Sequence, residues 1–585
     1  MMKWHIFAFV LTVLGVASPV TAFQRPNVVI IMTDDQGWGD LSIHGNQNLQ
    51  TPNIDSLARS GAAFDRFFVC PVCSPTRCEF LTGRYHPRAS VYSTSTGGER
   101  MDLDEVTLAD TFKAAGYRTA AFGKWHNGTQ LQYHPNARGF QEFYGFCSGH
   151  WGNYWSPMLD YNGEIVQGNG FLTDDLTDHA IQFVQNENVA PFFVYLALNT
   201  PHSPMQVPDA FWEKFESADL KMRGRQPDSE DVLHTRAALA MCENIDWNIG
   251  RLMKTLDQTK AADNTIVLFL SDNGPNGARW NDEMKGIKGS TDEGGVRSPL
   301  FVRWPAKIKA GLKINPIAGA IDLYPTLTQL CEVVPQNKSR LDGISLAPLL
   351  LEKQDQWPDR IIFSKWGNNV SARNQRFRLD QSGKLYDMVA DPGQYKDVSQ
   401  QHPTVADEMA KAVVEFRNTV IGPPELDDRL FPITHPDFDL VQLPARDAVA
   451  DGELKRSSRH PNSSDFTNWT STDDRITWKA EALDDGQYQA EIFFSCPEGQ
   501  QGSTVELRFN QATLSGEISK STPIRLIGED QDRSPRTESF EQDWQRLKLG
   551  TISITKGQGA LTLQATRIAN QQVMDFRLLT LRRIK

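Results

Sequence analysis

Asn27-Val28-Val29-Ile30-Ile31-Met32-Thr33-Asp34-Asp35 is an apolar, β-branched run that stops on two adjacent carboxylates. Further stretches repeat the pattern. Arg118-Thr119-Ala120-Ala121-Phe122-Gly123 leads into Lys124-Trp125-His126, and Pro191-Phe192-Phe193-Val194-Tyr195-Leu196-Ala197-Leu198 leads into Asn199-Thr200-Pro201-His202. Thr265-Ile266-Val267-Leu268-Phe269-Leu270-Ser271 leads into Asp272-Asn273-Gly274. Near-continuous apolar runs of this length suit strands buried on both faces of a parallel sheet. Helical patterns lie between them, such as Leu103 to Ala115 with Gly116 placed to cap its end. Strands alternating with helices predict an α/β fold, in which ligands bind beyond the carboxyl ends of the strands. All of these runs place metal-ligating or acid–base side chains at that end.

Outward from this core the chain changes character. Ala318 to Leu330 reads as a further helix, and Leu385-Tyr386-Asp387 with Asp391-Pro392 as a strand and turn. From about Asp437 onward the pattern is alternating strands with few helix signals: Gln487–Phe494, Ser503–Phe509, Arg546–Ile554, Ala560–Ala565 and Val573–Leu581. The expected organisation is a catalytic domain over 23–325, a small C-terminal α+β subdomain over 326–425, and a β-sandwich or jelly roll over 437–585. A chain of 585 residues exceeds the roughly 250–300 that one core supports, in keeping with several units.

Residues 1–22 carry Lys3, an apolar stretch and the small-residue ending Val20-Thr21-Ala22, the layout of a signal peptide. The run is short for a membrane span of about 20 apolar residues, so the expectation is export to a periplasmic, extracellular or secretory-pathway location with no stable membrane span. A net charge of −12 argues against a nucleic-acid partner. Any anionic substrate must then be drawn by a local cluster of cations. The 7 cysteines are too few and too scattered for a disulfide scaffold, and the sequence leaves their pairing open.

Asp34, Asp35, Asp272 and Asn273 form a hard-oxygen set suited to Ca²⁺ or Mg²⁺. Either pair alone is common in turns. Cys73-Ser74-Pro75-Thr76-Arg77, continuing into Leu81-Thr82-Gly83-Arg84, changes their weight. It resembles the signature of the formylglycine-dependent sulfatases, an arylsulfatase-like family within the alkaline-phosphatase-like superfamily. Gly116-Tyr117-Arg118-Thr119-Ala120-Ala121-Phe122-Gly123-Lys124-Trp125-His126 is similar to the second family signature. The resemblance covers about residues 26–422.

It implies an alkaline-phosphatase-like sandwich with a large central mixed sheet flanked by helices. It also implies that Cys73 is oxidised to formylglycine by a formylglycine-generating enzyme, and that the hydrated aldehyde is the nucleophile. Asp34, Asp35, Asp272 and Asn273, with the residue-73 oxygen, would hold a divalent cation, usually calcium. Lys124 and Lys288 would clamp sulfate, with Lys285 a less well-spaced competitor for the second role. His126 and His202 would move protons, through a covalent sulfated enzyme. Arg77 would buttress the nucleophile or the metal from the first turn of the following helix. Strand alternation would put Lys124 and His126 on one side.

His150 with Trp151, Tyr154 and Trp155 reads either as pocket lining or as core, and Cys70 and Cys78 as structural. The β-rich tail resembles carbohydrate-binding modules in outline and equally suits a packing unit. The expected activity is therefore hydrolysis of a sulfate monoester, with a sulfated carbohydrate or small molecule as substrate. The alternatives are a phosphonate or phosphate monoester hydrolase of the same superfamily, and a catalytically silent carbohydrate-binding surface protein.

Overall fold

The computed structural model describes residues 25–186, 190–353, 357–422 and 427–585. The signal-peptide reading of 1–22 and the boundary at 425 lie outside the described residues. An 11-stranded mixed sheet forms the centre of the molecule. Its middle is parallel: Asn27–Thr33 pairs with Phe192–Ala197 on one side and Thr265–Ser271 on the other, and Arg118–Lys124 continues beyond Phe192–Ala197. Arg297–Arg303 then runs antiparallel to Thr265–Ser271, which makes the sheet mixed.

Alternate residues of each central strand enter opposite cores. Val28, Ile30 and Met32 pack with Phe193 and Tyr195 on one face, while Val29 and Ile31 pack with Val194 and Leu196 on the other. Both faces are thus apolar, which is why these strands show no polar alternation in sequence. Helices Cys73–Thr82, Leu108–Ala114 and Leu323–Leu330 cover the first face. Helices Pro52–Ser60, Leu172–Gln185 and Val232–Gln258 cover the second, the last through Ile245, Ile249, Leu252 and Leu256 at helical spacing.

Some helix starts differ from the sequence reading. The helix expected from Leu103 begins at Leu108, because Thr107 and Asp110 form a reciprocal capping box that fixes the first turn there. The helix expected from Ala318 begins at Leu323, since Ala318–Gly319 is a strand pairing with Phe67 and Phe68 and the Asp322 carboxylate accepts the Gly319 N–H. That helix runs across positions 325 and 326.

A 4-stranded antiparallel sheet from Ile362–Trp366 to Leu385–Asp387 packs against helix Pro403–Phe416. Beyond it, two 6-stranded sheets face each other around one core. Their strands show the alternation of a sheet with one wet face: Ile476, Trp478, Ala480 and Ala482 point in, as do Val505, Leu507 and Phe509. The first of these strands is Phe431–Thr434, ahead of residue 437. It buries Phe431 and Ile433 and pairs in parallel with Ala480–Ala482.

Polar contacts seat this sandwich on the central unit. The Arg446 guanidinium donates to Thr129 and pairs with Glu99 at 3.0 Å, Gln130 donates to Asp447 at 2.6 Å, and Gln442 donates to Asp160 at 2.8 Å. Among the described residues no helix is long and apolar enough to cross a membrane.

Candidate active site

In-register pairing brings the polar strand ends to one edge. Thr33 lies beside Ser271, Met32 beside Ala197, and Gly123 beside Ala197, so the residues that follow each strand emerge at one level. Gly123 is required there, for a Cβ would stand 1.9 Å from the Ala197 carbonyl oxygen. Backbone bonds stitch the edge together: Asp272 N–H donates to Thr33 O at 3.1 Å and Asp34 N–H to Thr200 O at 3.1 Å. Asp35 takes a left-handed φ of 67°, a strained choice for a non-glycine residue that turns its carboxylate into the cluster.

Each carboxylate here has its own cation. Lys124 Nζ is 2.6 Å from Asp34 Oδ2, Lys288 Nζ is 2.8 Å from Asp35 Oδ2, and Arg77 Nη2 is 2.7 Å from Asp272 Oδ2. Asn273 Nδ2 donates to Asp35 Oδ1 at 2.8 Å, leaving its own Oδ1 without a protein partner. Asp34 Oδ1 is likewise buried and unpartnered. Burial, aided by the neighbouring Asp272 and Asp35 charges and opposed by Lys124, pushes the Asp34 carboxyl up to about 8. At Asp35 burial pushes the same way, but Lys288 and His202 prevail and hold it below the usual carboxylate range. Crowded carboxylates with orphaned, hard oxygens are the donor set of a divalent cation such as Ca²⁺ or Mg²⁺, and Asp34, Asp35, Asp272 and Asn273 fit one. The Cys73 Sγ lies within 4.8 Å of carboxylate oxygens of Asp34 and Asp272.

Cys73 opens helix Cys73–Thr82, where Val72 offers no side-chain cap, so free N–H groups and the positive helix end face position 73. Burial raises the Cys73 thiol above its ordinary pKa, against the pull of Lys124 and Lys288. As a cysteine it stays protonated and is a poor nucleophile. Arg77 is the fifth residue of the helix, just past the first turn expected from sequence. Fully buried, it joins two strand ends by donating to the Lys124 carbonyl at 2.9 Å and the Tyr195 hydroxyl at 3.0 Å besides its Asp272 pair. Thr76, which sequence reasoning passed over, helps by donating to the Asp272 carbonyl at 2.6 Å.

Lys124 and His126 are not aligned by strand alternation. The strand ends at Lys124, and His126 takes a left-handed φ of 62° that breaks the alternating pattern. Its Nε2 lies 2.8 Å from the Thr94 carbonyl, and its buried Nδ1 has no protein partner. Burial and Lys124 hold the imidazole well below its ordinary pKa, so it is a neutral base. His202 points Nδ1 at the Ser203 carbonyl at 2.7 Å and Nε2 toward Asp35 Oδ2 at 3.6 Å. Burial and Lys288 bring its pKa down to about 4. Lys288 is the lysine that enters the site; Lys285 pairs instead with Asp292 at 3.5 Å.

Cys73, His126, His202 and Lys288 line a cleft of about 460 Å³. The aromatic segment after Gly149 divides. His150 lines the cleft and stacks on His202 with ring centres 5.6 Å apart, whereas Tyr154 is buried and donates to the His202 and Ser203 carbonyls. Trp151 stacks on Phe146 and Trp155 leans on Phe171. Cys70 and Cys78 are buried away from the cleft, and all the cysteines are unpaired thiols. Sequence reading also missed Trp366, His234, Arg459, His460 and Glu538, which line the same cleft from distant parts of the chain. The last three come from the sandwich, and no local pattern connects them to Cys73.

Comparison with known proteins agrees with this geometry. The Sulfatase family model matches residues 26–333, and the model for the N-sulphoglucosamine sulphohydrolase C-terminal region matches 288–419. The chain is 31% identical over 409 residues to N-acetylgalactosamine-6-sulfatase of Sus scrofa, covering 63% of this chain and 74% of that protein. It is 27% identical over 441 residues to steryl-sulfatase of Homo sapiens, covering 58% of this chain and 72% of that one. The crystal structure of Ps i-CgsB in complex with k-i-k-neocarrahexaose superposes with a TM-score of 0.62 at 29% identity, over 69% of this chain and 95% of that one. The phosphonate monoester hydrolase of Agrobacterium radiobacter shares the fold, with a TM-score of 0.53 at 20% identity. Since the family match spans the central sheet and the residues at its edge, the chain belongs to the sulfatase family, enzymes that hydrolyse sulfate monoesters.

Proposed function

We propose that this sulfatase removes sulfate from a carbohydrate, using formylglycine made from Cys73 and a divalent cation, Ca²⁺ or Mg²⁺. The observation that carries the reading is the position of Cys73. It begins a helix at the floor of a cleft, against Asp34 and Asp272, with His126, His202 and Lys288 around it. A thiol held protonated by burial has little use there as a nucleophile, whereas the hydrate of an aldehyde supplies one hydroxyl to attack sulfur and a second through which sulfate is expelled. Asp34, Asp35, Asp272 and Asn273 would hold the cation, which would supply Lewis acidity toward sulfate and lower the pKa of that hydroxyl.

The remaining work falls to the chain's own groups. Lys124 and Lys288, held at the site by Asp34 and Asp35, are the cations that would bind sulfate oxygens. Arg77 keeps Asp272 and the Lys124 strand end fixed. His202, held below its ordinary pKa by burial and Lys288, stands beside Lys288 on the cleft, where it can exchange a proton with the departing alcohol. His126, neutral by burial, accepts the proton when sulfate is expelled. A carbohydrate suits the cleft, whose 460 Å³ matches a small saccharide and whose lining includes the indole of Trp366. The signal-peptide layout of residues 1–22 supports export as part of this reading.

An intact mass of the Cys73 peptide and a kinetic comparison of aryl sulfate with aryl phosphate test this together. Conversion of cysteine to aldehyde and a kcat/KM at least about tenfold higher for the sulfate are expected. Preference of the matured enzyme for phosphate would overturn it.

A further inference from the structure

The sandwich does more than pack against the central unit. Its segments around 458–464 and 534–539 reach over the sheet edge and close one side of the cleft. Ser458 Oγ donates to the Thr537 carbonyl at 2.9 Å, which ties the two segments together. Asn462 Nδ2 donates to the Thr94 carbonyl at 3.1 Å, Ser463 Oγ to the His150 carbonyl at 2.9 Å, and Ser148 Oγ to the Asn462 carbonyl at 2.7 Å. Ser203, beside His202, donates to Glu538 at 2.5 Å. This wall is anchored beside both active-site histidines, at Thr94, whose carbonyl His126 Nε2 approaches, and at Ser203, next to His202.

On that wall Arg459 is exposed, and its Nε lies 3.1 Å from His460 Nε2. The contact aims the guanidinium and leaves its terminal nitrogens unused. Among the described residues no carboxylate forms an ion pair with Arg459. The other arginine of the wall, Arg536, is spent on Asp532 and the Gly152 carbonyl. The carboxylate that lines the cleft, Glu538, is committed to Ser203 and the Thr537 N–H. Lys124 and Lys288 are the cations assigned above to the sulfate that is cleaved. A second, uncompensated cation therefore faces the cleft from a rigid support, presenting the planar fork that matches a sulfate or carboxylate.

Resting on the sulfatase reading above, we infer that Arg459, oriented by His460, recognises a second anionic group on the substrate. The substrate class is a saccharide carrying a sulfate or carboxylate in addition to the scissile sulfate. The sandwich is thus a specificity element of the active site.

Binding isolates this from chemistry. In the full chain carrying Cys73→Ala, titration calorimetry would compare a monosulfated disaccharide, a disulfated one, and a monosulfated one bearing a uronic acid. Arg459→Ala is expected to weaken binding of at least one dianionic probe by about tenfold or more, with a change under about twofold for the monosulfated probe. Arg459→Lys should restore part of the loss. The probe that loses affinity identifies the second group as sulfate or carboxylate. Equal weakening of all three probes, or of none, would overturn the inference. Turnover of an aryl sulfate by the unmutated enzyme is measured separately; its failure would sink the proposed function and leave the binding comparison readable.

Discussion

At the edge of the central sheet Asp34, Asp35, Asp272, Asn273, Lys124 and Arg77 are all fully buried, and several of their polar atoms have no partner. The interior of the sandwich is just as buried, but its large side chains are Trp469, Trp478, Phe494 and Phe576. One region crowds charge in a buried setting, at an energetic cost that its ion pairs offset only in part. The other gains stability from apolar area and touches the chemistry only at its loops. Substitutions in the first should cost activity, and substitutions in the second should cost folding.

The largest effect is expected at Cys73. Cys73→Ala should lower kcat/KM for an aryl sulfate by about 10⁴-fold or more, with a melting temperature close to that of the unmutated chain. Retention of appreciable turnover would break the comparison, since position 73 would then be structural. Chelation comes next. Removing divalent cations should cost roughly 10²–10³-fold in rate and lower the melting temperature, because a ligand that binds the folded state alone is withdrawn. Added Ca²⁺ should restore both readings; a melting temperature indifferent to chelator and calcium would contradict the cation site.

In the sandwich, Trp478→Ala removes a fully buried indole from the shared core and should cost about 3–5 kcal/mol, visible by calorimetry as a lower transition of the sandwich. If aryl sulfate turnover fell as far as it does for Cys73→Ala while the sandwich kept its transition, the division of labour between the regions would be wrong.

The two regions also differ in how far sequence alone reveals them. The run Asn27–Thr33 declares itself because both faces of the strand are apolar, and its carboxylates follow at once. The sandwich strands declare themselves by alternation, as in Ile476-Thr477-Trp478-Lys479-Ala480. Helix starts were less legible: the Thr107–Asp110 box and the Asp322 bond to Gly319 are reciprocal side-chain choices that apolar periodicity does not reveal. The Lys124–His126 relation was misread because a left-handed residue ends the strand's alternation. Arg459 and Glu538 were invisible, since they join the cleft of His202 across more than two hundred residues of chain.

Glu79 tests whether the catalytic helix itself carries buried charge beyond the site. Burial, against hydrogen bonds from Cys70 and the His86 N–H, pushes its carboxyl up to about 8 from an ordinary 4.5. The folded state therefore binds the proton more tightly than the unfolded chain, and stability should fall as pH rises from about 5 through 8 and level off above. Glu79→Gln keeps the shape and removes the titration. Its melting temperature should gain on the unmutated chain between pH 6 and 8 and then hold that gain to pH 9, by an amount corresponding to about 2–3 kcal/mol. A constant difference across that range would mean that Glu79 is already ionised in the folded protein.

Where the regions meet, the expected effect is smallest and most diagnostic. A Cβ on Gly149 would stand 2.3 Å from Asn462 Nδ2 and 2.6 Å from His126 Nε2. Gly149→Ala must then displace the Asn462 amide from the Thr94 carbonyl, move His126, or both. The Asn462 amide belongs to a flexible side chain, so the sandwich wall should yield first. Glycan KM should rise by about tenfold, with kcat for an aryl sulfate falling only a few-fold. A drop confined to kcat, with glycan KM unchanged, would place the strain on His126 instead and make the wall the more rigid partner.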